Sequence, residues 1–406
     1  MSSKKLNNIQ QIIYKPHILK KMTIKHLLSC LGLLGLTYVG QAQSRIYVNE
    51  YLNIGVGAKA LAMGGAQAAS SKDVYSAYYN PAGLAQIQDK FQVGAMHAEY
   101  FAGNAKYDYA AFAMPSRDKK RSIGISAMRF ATDDIPYTID YVKPDGSFDE
   151  SKLKSISAGD YAFMLSYAQR VNILKDTSVQ TFIGANAKML YRNIGSMASA
   201  WGAGADIGVQ ALYQRWNFGL HLKDITTTYT NWTFNLSEKE KEVFAKTGNI
   251  IPVKSYEIMK PRLVWGAGYQ FFVPEKKVHL WLEANADMTT DGKRNTLIKS
   301  NTLSIDPRFG AQLDYKNMLF LRAGVCNIQK VLDDKDSTNQ KHYTLFQPSI
   351  GLGVKLGVLV VDYAYTSLQT QSNPLFSHII SIRLDFNPKS KTNQENTSVL
   401  GASTLD

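Results

Sequence analysis

Cysteine is scarce in this sequence of 406 residues, where it occurs only at Cys30 and Cys326. Cys30 falls in an N-terminal segment that we expect to be removed, so the mature chain keeps one thiol. A single thiol can form neither an internal disulfide nor a cysteine-based metal cluster. The sequence therefore excludes a disulfide-stabilised scaffold and is compatible with an exported protein that needs no disulfide.

Long apolar runs are missing from the body of the chain. No segment after the N-terminal region approaches the ~18 to 20 apolar residues that a transmembrane helix needs, although 45% of the residues are hydrophobic and 11% are aromatic. A helical membrane protein is excluded on this ground. A β-barrel stays open, because its apolar residues alternate with polar ones. The length would suit two or three soluble domains or one large all-β domain.

Clusters of basic residues are absent as well. The chain has 46 Lys and Arg against 33 Asp and Glu, a net charge of +13. Six of the lysines and none of the acids lie in residues 1–42, so removal of that segment leaves 46 − 6 = 40 basic residues and a net charge of +7. The remaining Lys and Arg are scattered among acids, which gives little support to nucleic-acid binding.

The first 42 residues have the pattern of a signal peptide. Lysines at positions 20, 21 and 25 precede an apolar run over 27–39, and the segment ends in Gly40-Gln41-Ala42. Small residues at these two positions suit signal peptidase, so we expect cleavage between Ala42 and Gln43. The residues before Met22 add nothing to such a signal, which makes Met22 a candidate start. A competing interpretation takes Leu27-Leu28-Ser29-Cys30 as a lipoprotein box, but most of the apolar run follows Cys30.

Residues 91–386 show the period-two alternation of β-strands. Between Asp160 and Arg170, for example, the odd positions are bulky and apolar while the even ones include Asp160, Ser166 and Arg170. Only a strand places these two sets on opposite faces. Fourteen such segments are predicted, at 91–101, 105–114, 122–130, 160–170, 179–191, 201–213, 216–223, 261–273, 278–288, 303–315, 318–327, 346–356, 358–366 and 376–386. The pattern indicates an all-β protein, a transmembrane antiparallel barrel of about 14 strands.

The connections between these strands differ at the two ends of the predicted barrel. Long polar segments join strands at one end, and turns of a few residues such as 274–277 and 316–317 join them at the other. Outer-membrane barrels have long loops outside and short turns in the periplasm. The predicted long loops are 131–158, 224–260, 289–302 and 328–345. Within the longest, the charged segment from Ser237 to Glu242 predicts a short surface helix, with a solvated loop as the alternative.

A segment rich in small residues precedes the strands. Residues 55–85 contain many Gly and Ala and few charges, and they end in the turn-forming sequence Asn80-Pro81-Ala82-Gly83. Small side chains allow a short helix and turns to pack closely against a wall. We expect residues 43–90 to form a small plug in the lumen, with Asp73 and Asn80 more suited to anchoring the plug than to contacting a ligand.

The same segment resembles a known family. Gly57-Ala58-Lys59, Met63-Gly64-Gly65-Ala66, Asp73 and the run from Tyr79 to Ala85, which contains Asn80, Pro81 and Gly83, are similar to the N-terminal signature of the PorV/PorQ family of Bacteroidetes outer-membrane proteins. That family is related to the FadL-type transporters of long-chain fatty acids. The resemblance implies an integral outer-membrane barrel in contact with lipid.

Two functions follow as hypotheses from this resemblance. PorV-like proteins belong to the type IX secretion system and bind the C-terminal sorting domains of cargo, so the first hypothesis is a non-enzymatic secretion component whose partners are that machinery and its cargo. The alternative is FadL-like passive transport of hydrophobic molecules such as long-chain fatty acids. Transport would require a gap in the barrel wall, and Pro307 is the only proline well inside a predicted strand.

Chemistry-bearing motifs are not found. None of the seven histidines lies in a nucleophile elbow, an HExxH motif or a metal-ligand spacing, and Gly64-Gly65 lacks the spacing and the Lys-Ser/Thr ending of a phosphate loop. We therefore predict no catalytic residue, no cofactor and no metal. Charged residues on the predicted inner face either pair with one another and the plug or line a solute path; they are Lys188, Asp206, Arg262, Glu283, Asp287, Asp306, Arg308, Arg322, Lys355, Asp362, Arg383 and Asp385.

The resulting organisation has four parts. Residues 1–42 are the predicted signal peptide, 43–90 the plug and 91–386 the barrel. The last strand ends on Phe386 after an apolar alternation, which resembles the terminal signal for barrel insertion, although that signal normally closes the chain. Residues 387–406 are polar and without an apolar period, and we predict a disordered periplasmic tail.

Overall fold

The computed structural model describes residues 48–101, 103–141, 147–173, 178–248, 254–273, 276–332, 342–368 and 375–386. The predicted signal peptide, its cleavage site between Ala42 and Gln43, and the predicted tail 387–406 lie outside the described residues. None of the helices in the described part of the chain is long and apolar enough to span a bilayer.

One antiparallel sheet of seventeen strands forms the wall. β17 pairs with β1 through Phe386 and Phe91, so the sheet closes into a barrel. Fourteen strands make up the closed ring, and β8, β9 and β12 are additions to it, which confirms the predicted fourteen-stranded barrel. The strands are β1 Phe91–Tyr100, β2 Ala105–Pro115, β3 Arg121–Tyr137, β4 Lys154–Val171, β5 Val179–Ile194, β6 Ala198–Tyr213, β7 Trp216–Lys223, β8 Thr228–Phe234, β9 Lys254–Met259, β10 Arg262–Val273, β11 Val278–Thr289, β12 Ile298–Lys299, β13 Ser304–Tyr315, β14 Leu319–Leu332, β15 His342–Leu356, β16 Leu359–Leu368 and β17 Leu375–Phe386.

The alternation seen in the sequence sets which side chains point outward. On β4, Leu165 is 62% exposed and Phe163 and Tyr167 are 45% exposed, whereas Ala162, Met164 and Ser166 are buried. Exposed apolar side chains recur around the ring and form a belt. We call the end of the barrel where Phe91 and Phe386 meet the turn end, and the opposite end the loop end.

The predicted loop 224–260 is wrong over much of its length. β8 pairs with residues 198–203 of β6 and β9 pairs with β8, so the wall continues beyond β7 and β10 toward the loop end. Asp224 and Thr227 adopt positive φ values of 55° and 62° between β7 and β8. The apolar alternation is interrupted at this point, which is why a loop was predicted there. The helix predicted near Ser237 is present as Glu238–Lys246, with Ser237 and Glu240 forming a capping box.

Other predicted loops also contain strand. β3 and β4 continue past a bulge between Thr132 and Ile135, so residues 131–137 and 154–158 at the two ends of the predicted loop 131–158 are paired strand that extends beyond β2 and β5. It encloses a short 3₁₀ helix, Glu150–Lys152. β12 lies within the predicted loop 289–302, and β14 and β15 reach into 328–345. Pairing beyond a bulge depends on the partner strand as well as on the local sequence. The predicted strands therefore ended earlier than the observed ones.

Residues 48–90 fill the lumen as a plug. Its helical segments are the 3₁₀ helix Glu50–Asn53, α1 Ala58–Ala62, α2 Ser76–Tyr79 and the 3₁₀ helix Pro81–Gln86; Glu238–Lys246 is α3. α1 packs against β14 to β17, and Pro81–Gln86 packs against β3 to β6. Buried apolar side chains of plug and wall form one core, which includes Val56 and Leu84 from the plug and Leu190 and Ile379 from the wall.

Candidate functional site: the plug and the cavity above it

Asp73 ties the plug to the wall. Its carboxylate accepts hydrogen bonds from Lys59 Nζ at 3.1 Å, from Arg383 Nη1 on β17 at 2.9 Å and from the backbone N–H of Tyr75 at 3.1 Å. Burial alone would raise the pKa of Asp73, but the charges of Lys59 and Arg383 and the hydrogen bonds outweigh it and hold the pKa at about 2. Asp73 is therefore ionised and links the plug to β17.

Asn80 fixes the turn that ends the plug. Its fully buried side-chain N–H₂ donates to the carbonyls of Ala68 at 2.9 Å and of Val209 on β6 at 3.0 Å. Its Oδ1 accepts from the backbone N–H of Ala82 at 3.2 Å and caps the 3₁₀ helix in which Pro81 is the first residue. One side chain thus joins two plug segments to the wall.

The other residues of the family motif serve close packing. Ala58 N–H donates to Ser381 Oγ at 2.9 Å, and Gly64 N–H donates to Ser349 Oγ at 3.2 Å. Gly64 has a φ of +63°, and a Cβ there would lie 2.8 Å from the backbone of Val325. An added Cβ would lie 3.2 Å from the Tyr75 ring at Gly57, 2.8 Å from Arg308 Nη1 at Gly65 and 2.1 Å from the Ser71 carbonyl oxygen at Gly83. Met63 packs against Gly310 and Gly324 of the wall. Within the plug these residues build structure, and none of them is arranged as a reactive group.

A cavity of about 380 Å³ lies between the plug and the loop end. Apolar side chains contribute one part of its lining, including Ile54, Leu61, Tyr100 and Phe130. Charged groups contribute the other part, and they come from β10, β11 and β13 and from Glu50 and Arg294. The volume falls within the range of about 300 to 1,000 Å³ typical of small-molecule pockets, so the cavity can hold one small molecule.

The charged lining is internally paired. Asp287 lies against Arg262 in a close bidentate contact and forms an ion pair with Arg308 Nη2 at 3.2 Å, and Arg308 Nε lies 3.3 Å from Asp306. Arg294, from the segment between β11 and β12, binds Glu50 of the plug at 3.0 Å. The cavity therefore combines an apolar side with a neutralised polar side, and the Glu50–Arg294 contact, which joins two long-range partners, had no sequence signal.

Elsewhere in the lumen the predicted inner-face charges also find partners. Lys188 pairs with Asp206 at 2.8 Å and with Asp224, Arg322 with Asp362 at 2.7 Å, and Arg383 with Asp385 at 2.7 Å. Lys355 binds Asp385 at 3.1 Å, and Glu283 accepts the backbone N–H of Ala69 in the plug at 2.8 Å. All twelve predicted charges thus pair with each other or with the plug, while four of them also line the cavity.

The wall is interrupted beside this cavity. The ladder between β13 and β14 begins at Phe309 and Val325, whereas β13 pairs with β11 along its whole length. On the side of β13 that faces β14, only Ser304 and Ile305 have another partner among the described residues, the two-residue strand β12. Residues 306–308, with Pro307 at their centre, therefore lie at a break in the ladder, and Asp306, Arg308 and Cys326 beside it line the cavity.

The plug enters the lumen from the loop end. Asn49 Nδ2 donates to Thr230 Oγ1 of β8 at 3.0 Å, and Glu50 binds Arg294. From there the chain descends through α1 and α2 to Gln86 and reaches the turn end at Lys90, whose N–H donates to the carbonyl of Phe386 at 2.7 Å. The first described residues therefore border the mouth of the barrel.

Comparison with known proteins places the fold. No protein-family model and no curated protein sequence matches this chain. Among solved structures, the CymD monoaromatic hydrocarbon channel has a TM-score of 0.52 at 15% identity and covers 82% of this chain and 98% of its own. The Ralstonia pickettii toluene transporter TbuX has a TM-score of 0.46 at 12% identity, and the match covers 82% of this chain and 99% of TbuX. A Pseudomonas aeruginosa FadL homologue has a TM-score of 0.47 at 11% identity, and the match covers 82% of this chain and 98% of the homologue.

The likeness to CymD establishes a shared fold. This chain has the FadL-like fold, a closed fourteen-stranded antiparallel barrel with a small N-terminal helical segment in the lumen. A closed barrel with this fold and an apolar belt is an integral protein of a Gram-negative outer membrane. The comparisons give no support to the PorV/PorQ family in particular, so that resemblance stays a prediction from the motif residues.

Proposed function

We propose that this barrel is a passive channel for small hydrophobic molecules. The observation that carries the proposal is the position of the 380 Å³ cavity, which lies under the mouth and extends to the break in the wall at residues 306–308. A molecule from outside would occupy the apolar side of the cavity, next to Ile54 and Tyr100. It would leave sideways between β13 and β14, because the paired plug closes the direct route to the periplasm.

Paired charges on the other side of the cavity suit such a ligand. An unpaired buried charge would hold water and favour ions, whereas Arg262 and Arg308 are paired with Asp287 and Asp306. A hydrophobic molecule would therefore displace weakly held water rather than break an ion pair. The monoaromatic hydrocarbon channel with the same fold makes toluene the first solute to test. The motif's resemblance to a family related to the FadL-type transporters adds a long-chain fatty acid as the second.

Cys326 provides a direct test, because it is the sole cysteine of the predicted mature chain and lines the cavity beside the break. Cells without other hydrophobic-solute channels would express the protein, and uptake of radiolabelled toluene and oleate would be measured before and after treatment with a bulky maleimide. We expect uptake above the empty-vector rate and its loss on labelling. The matched control, Cys326→Ser, should take up solute whether or not the reagent is added. Uptake equal to the empty vector for both solutes would refute the proposal.

A second proposal keeps the type IX secretion system as the setting, with cargo sorting domains as partners. It is supported by the motif in residues 57–85 and by the raised rim, in which α3 bridges two hairpins. Tyr137 at the end of β3 donates to Glu240 of α3 at 2.8 Å, and Lys239 binds Asp140 at 2.7 Å. Such a rim offers a preorganised surface for a protein. Deletion of the gene should then leave cargo unsecreted, and an unchanged secretome would exclude this role.

A further inference from the structure

The apolar belt is cut short on β1, β2 and β3. On β13 and β15, the outward residues six, eight and ten positions from the turn end are apolar; they are Phe309, Pro307 and Ile305 on β13, and Ile350, Pro348 and Phe346 on β15. The corresponding outward positions on the first three strands hold ionisable groups. They are His97 and Glu99 on β1, Asp108 and Lys106 on β2, and Arg129 on β3.

These groups form one network across adjacent strands. His97 Nδ1 lies 2.7 Å from Asp108 Oδ1, and the other oxygen of Asp108 accepts from Arg129 at 3.3 Å. Lys106 and Arg129 both bind Asp133, at 3.2 and 3.5 Å. The pairing of His97 with Asp108 and of Asp108 with Arg129 in the strand register confirms that they share the outer face. We call these five residues, together with Glu99, the charged patch.

The depth of the charged patch is unsuited to lipid. A strand rises about 3.3 Å per residue and tilts about 40°, so His97 lies roughly 15 Å and Glu99 roughly 20 Å along the barrel axis from the turn end. The hydrocarbon belt of such barrels is about 25 Å tall. His97 and Glu99 are 55% and 58% exposed, so they would face acyl chains, where charged side chains are destabilising.

A concave apolar surface adjoins the charged patch on the turn-end side. Ala95, Ala110 and Ala127 lie two residues from His97, Asp108 and Arg129 and form its floor. Larger side chains border it, including Phe112, Phe163 and Met189. We call this surface the alanine groove; its volume is about 750 Å³. A groove of small residues beside a polar cluster can receive a ridge of side chains from a neighbouring protein.

We propose that the alanine groove and the charged patch bind another integral outer-membrane protein, one that brings an apolar ridge to the groove and a lysine or arginine to the patch. Apart from His97, the patch holds two basic and three acidic groups, so their formal charges sum to 2 − 3 = −1. This surplus favours a cationic partner. It disfavours anionic lipid headgroups. A second copy related by a two-fold axis would bring the same surplus acid to the contact.

The test uses photocrosslinking in the native outer membrane. A benzophenone amino acid replaces Ala110 on the floor of the groove, and the matched control replaces Ala323, which is likewise exposed on the outer face of β14 but has no charged patch beside it. The Ala110 site is also combined with Glu99→Lys, which reverses the surplus charge, and with Glu99→Gln, which removes it. Heat-modifiable migration on gels verifies that each variant has folded.

We expect a discrete adduct at Ala110 but not at Ala323, identified by mass spectrometry as an integral outer-membrane protein with Lys or Arg near the crosslinked position. Its yield should fall at least about fivefold with Glu99→Lys and less with Glu99→Gln. The proposal is overturned if the only adduct is a second copy of this chain or lipid, if no adduct forms, or if neither Glu99 variant alters the yield. Should Glu99→Lys fail to fold, the Glu99→Gln result decides.

Discussion

Replacing Asp73 with Asn should loosen the plug. The substitution keeps the size of the side chain and its ability to accept the Tyr75 N–H, but it removes the charge that Lys59 and Arg383 share. Arg383 retains Asp385 at 2.7 Å, and Lys59 has a side chain that is 19% exposed and can turn toward water. After the substitution, Arg383 therefore keeps an acidic partner and Lys59 can be solvated.

The magnitude follows from the pKa of Asp73. A shift from the ordinary value of 3.8 to about 2 corresponds to about 2 kcal/mol of stabilisation of the ionised form in the folded protein. Removing one partner of a fully buried pair can cost roughly 3 to 5 kcal/mol, but the remaining contacts of the two cations favour the lower figure. An energy of about 2 kcal/mol corresponds to a rise of about 30-fold in the displaced state of the plug.

Planar-bilayer recordings can count displacements as transient openings. At pH 7 we expect Asp73→Asn to open about 30-fold more often than the wild type, while Asp118→Asn in a periplasmic turn should match the wild type. Because the folded pKa of Asp73 is depressed, its contribution is complete well above pH 4 and is lost as the pH falls toward 2. The two proteins should therefore converge in acid. Equal opening rates at pH 7, or a gap that widens in acid, would refute this account of the anchor.

Three further outcomes test the plug and the rim. Asn80→Ala should lower the stability of the plug by about 2 to 3 kcal/mol, because it removes buried hydrogen bonds and a helix cap; limited proteolysis at increasing urea would show earlier cleavage of the plug. Gly184→Val should displace the plug turn, since a Cβ there would lie 2.4 Å from the Pro81 carbonyl carbon, and single-channel conductance should rise. Tyr137→Phe should speed proteolysis near α3 by loss of the Glu240 contact, without changing the midpoint of barrel unfolding.

The sequence predicts the wall well because strand alternation is local. Each outward residue, such as Leu165, is set by its neighbours two positions away and by the membrane. Strands β8 and β9 were not predicted, because the apolar alternation is interrupted at Asp224 and Thr227, where φ is positive. β8 pairs with β6, a contact that the local sequence does not indicate.

The presence of a plug could be predicted from the sequence, but its contacts with the wall could not. The small residues of segment 55–85 predicted close packing against the wall, and Asp73 and Asn80 were predicted to anchor the plug. Their partners could not be read from the chain, since Arg383 lies 310 residues from Asp73 and Val209 lies 129 residues from Asn80. Partners at such separations are fixed by barrel closure, which is a property of the whole ring rather than of any segment.

The channel proposal and the proposal for the alanine groove concern different parts of the wall, so experiments can separate solute transport from partner binding. The break in the ladder lies between β13 and β14, and the charged patch lies on β1 to β3, with β15, β16 and β17 between them. Cys326 labelling should therefore stop uptake and leave the Ala110 adduct unchanged. Glu99→Lys should do the reverse. If one change abolished both activities, the partner would have to control the path through the wall, and neither surface could be assigned a function alone.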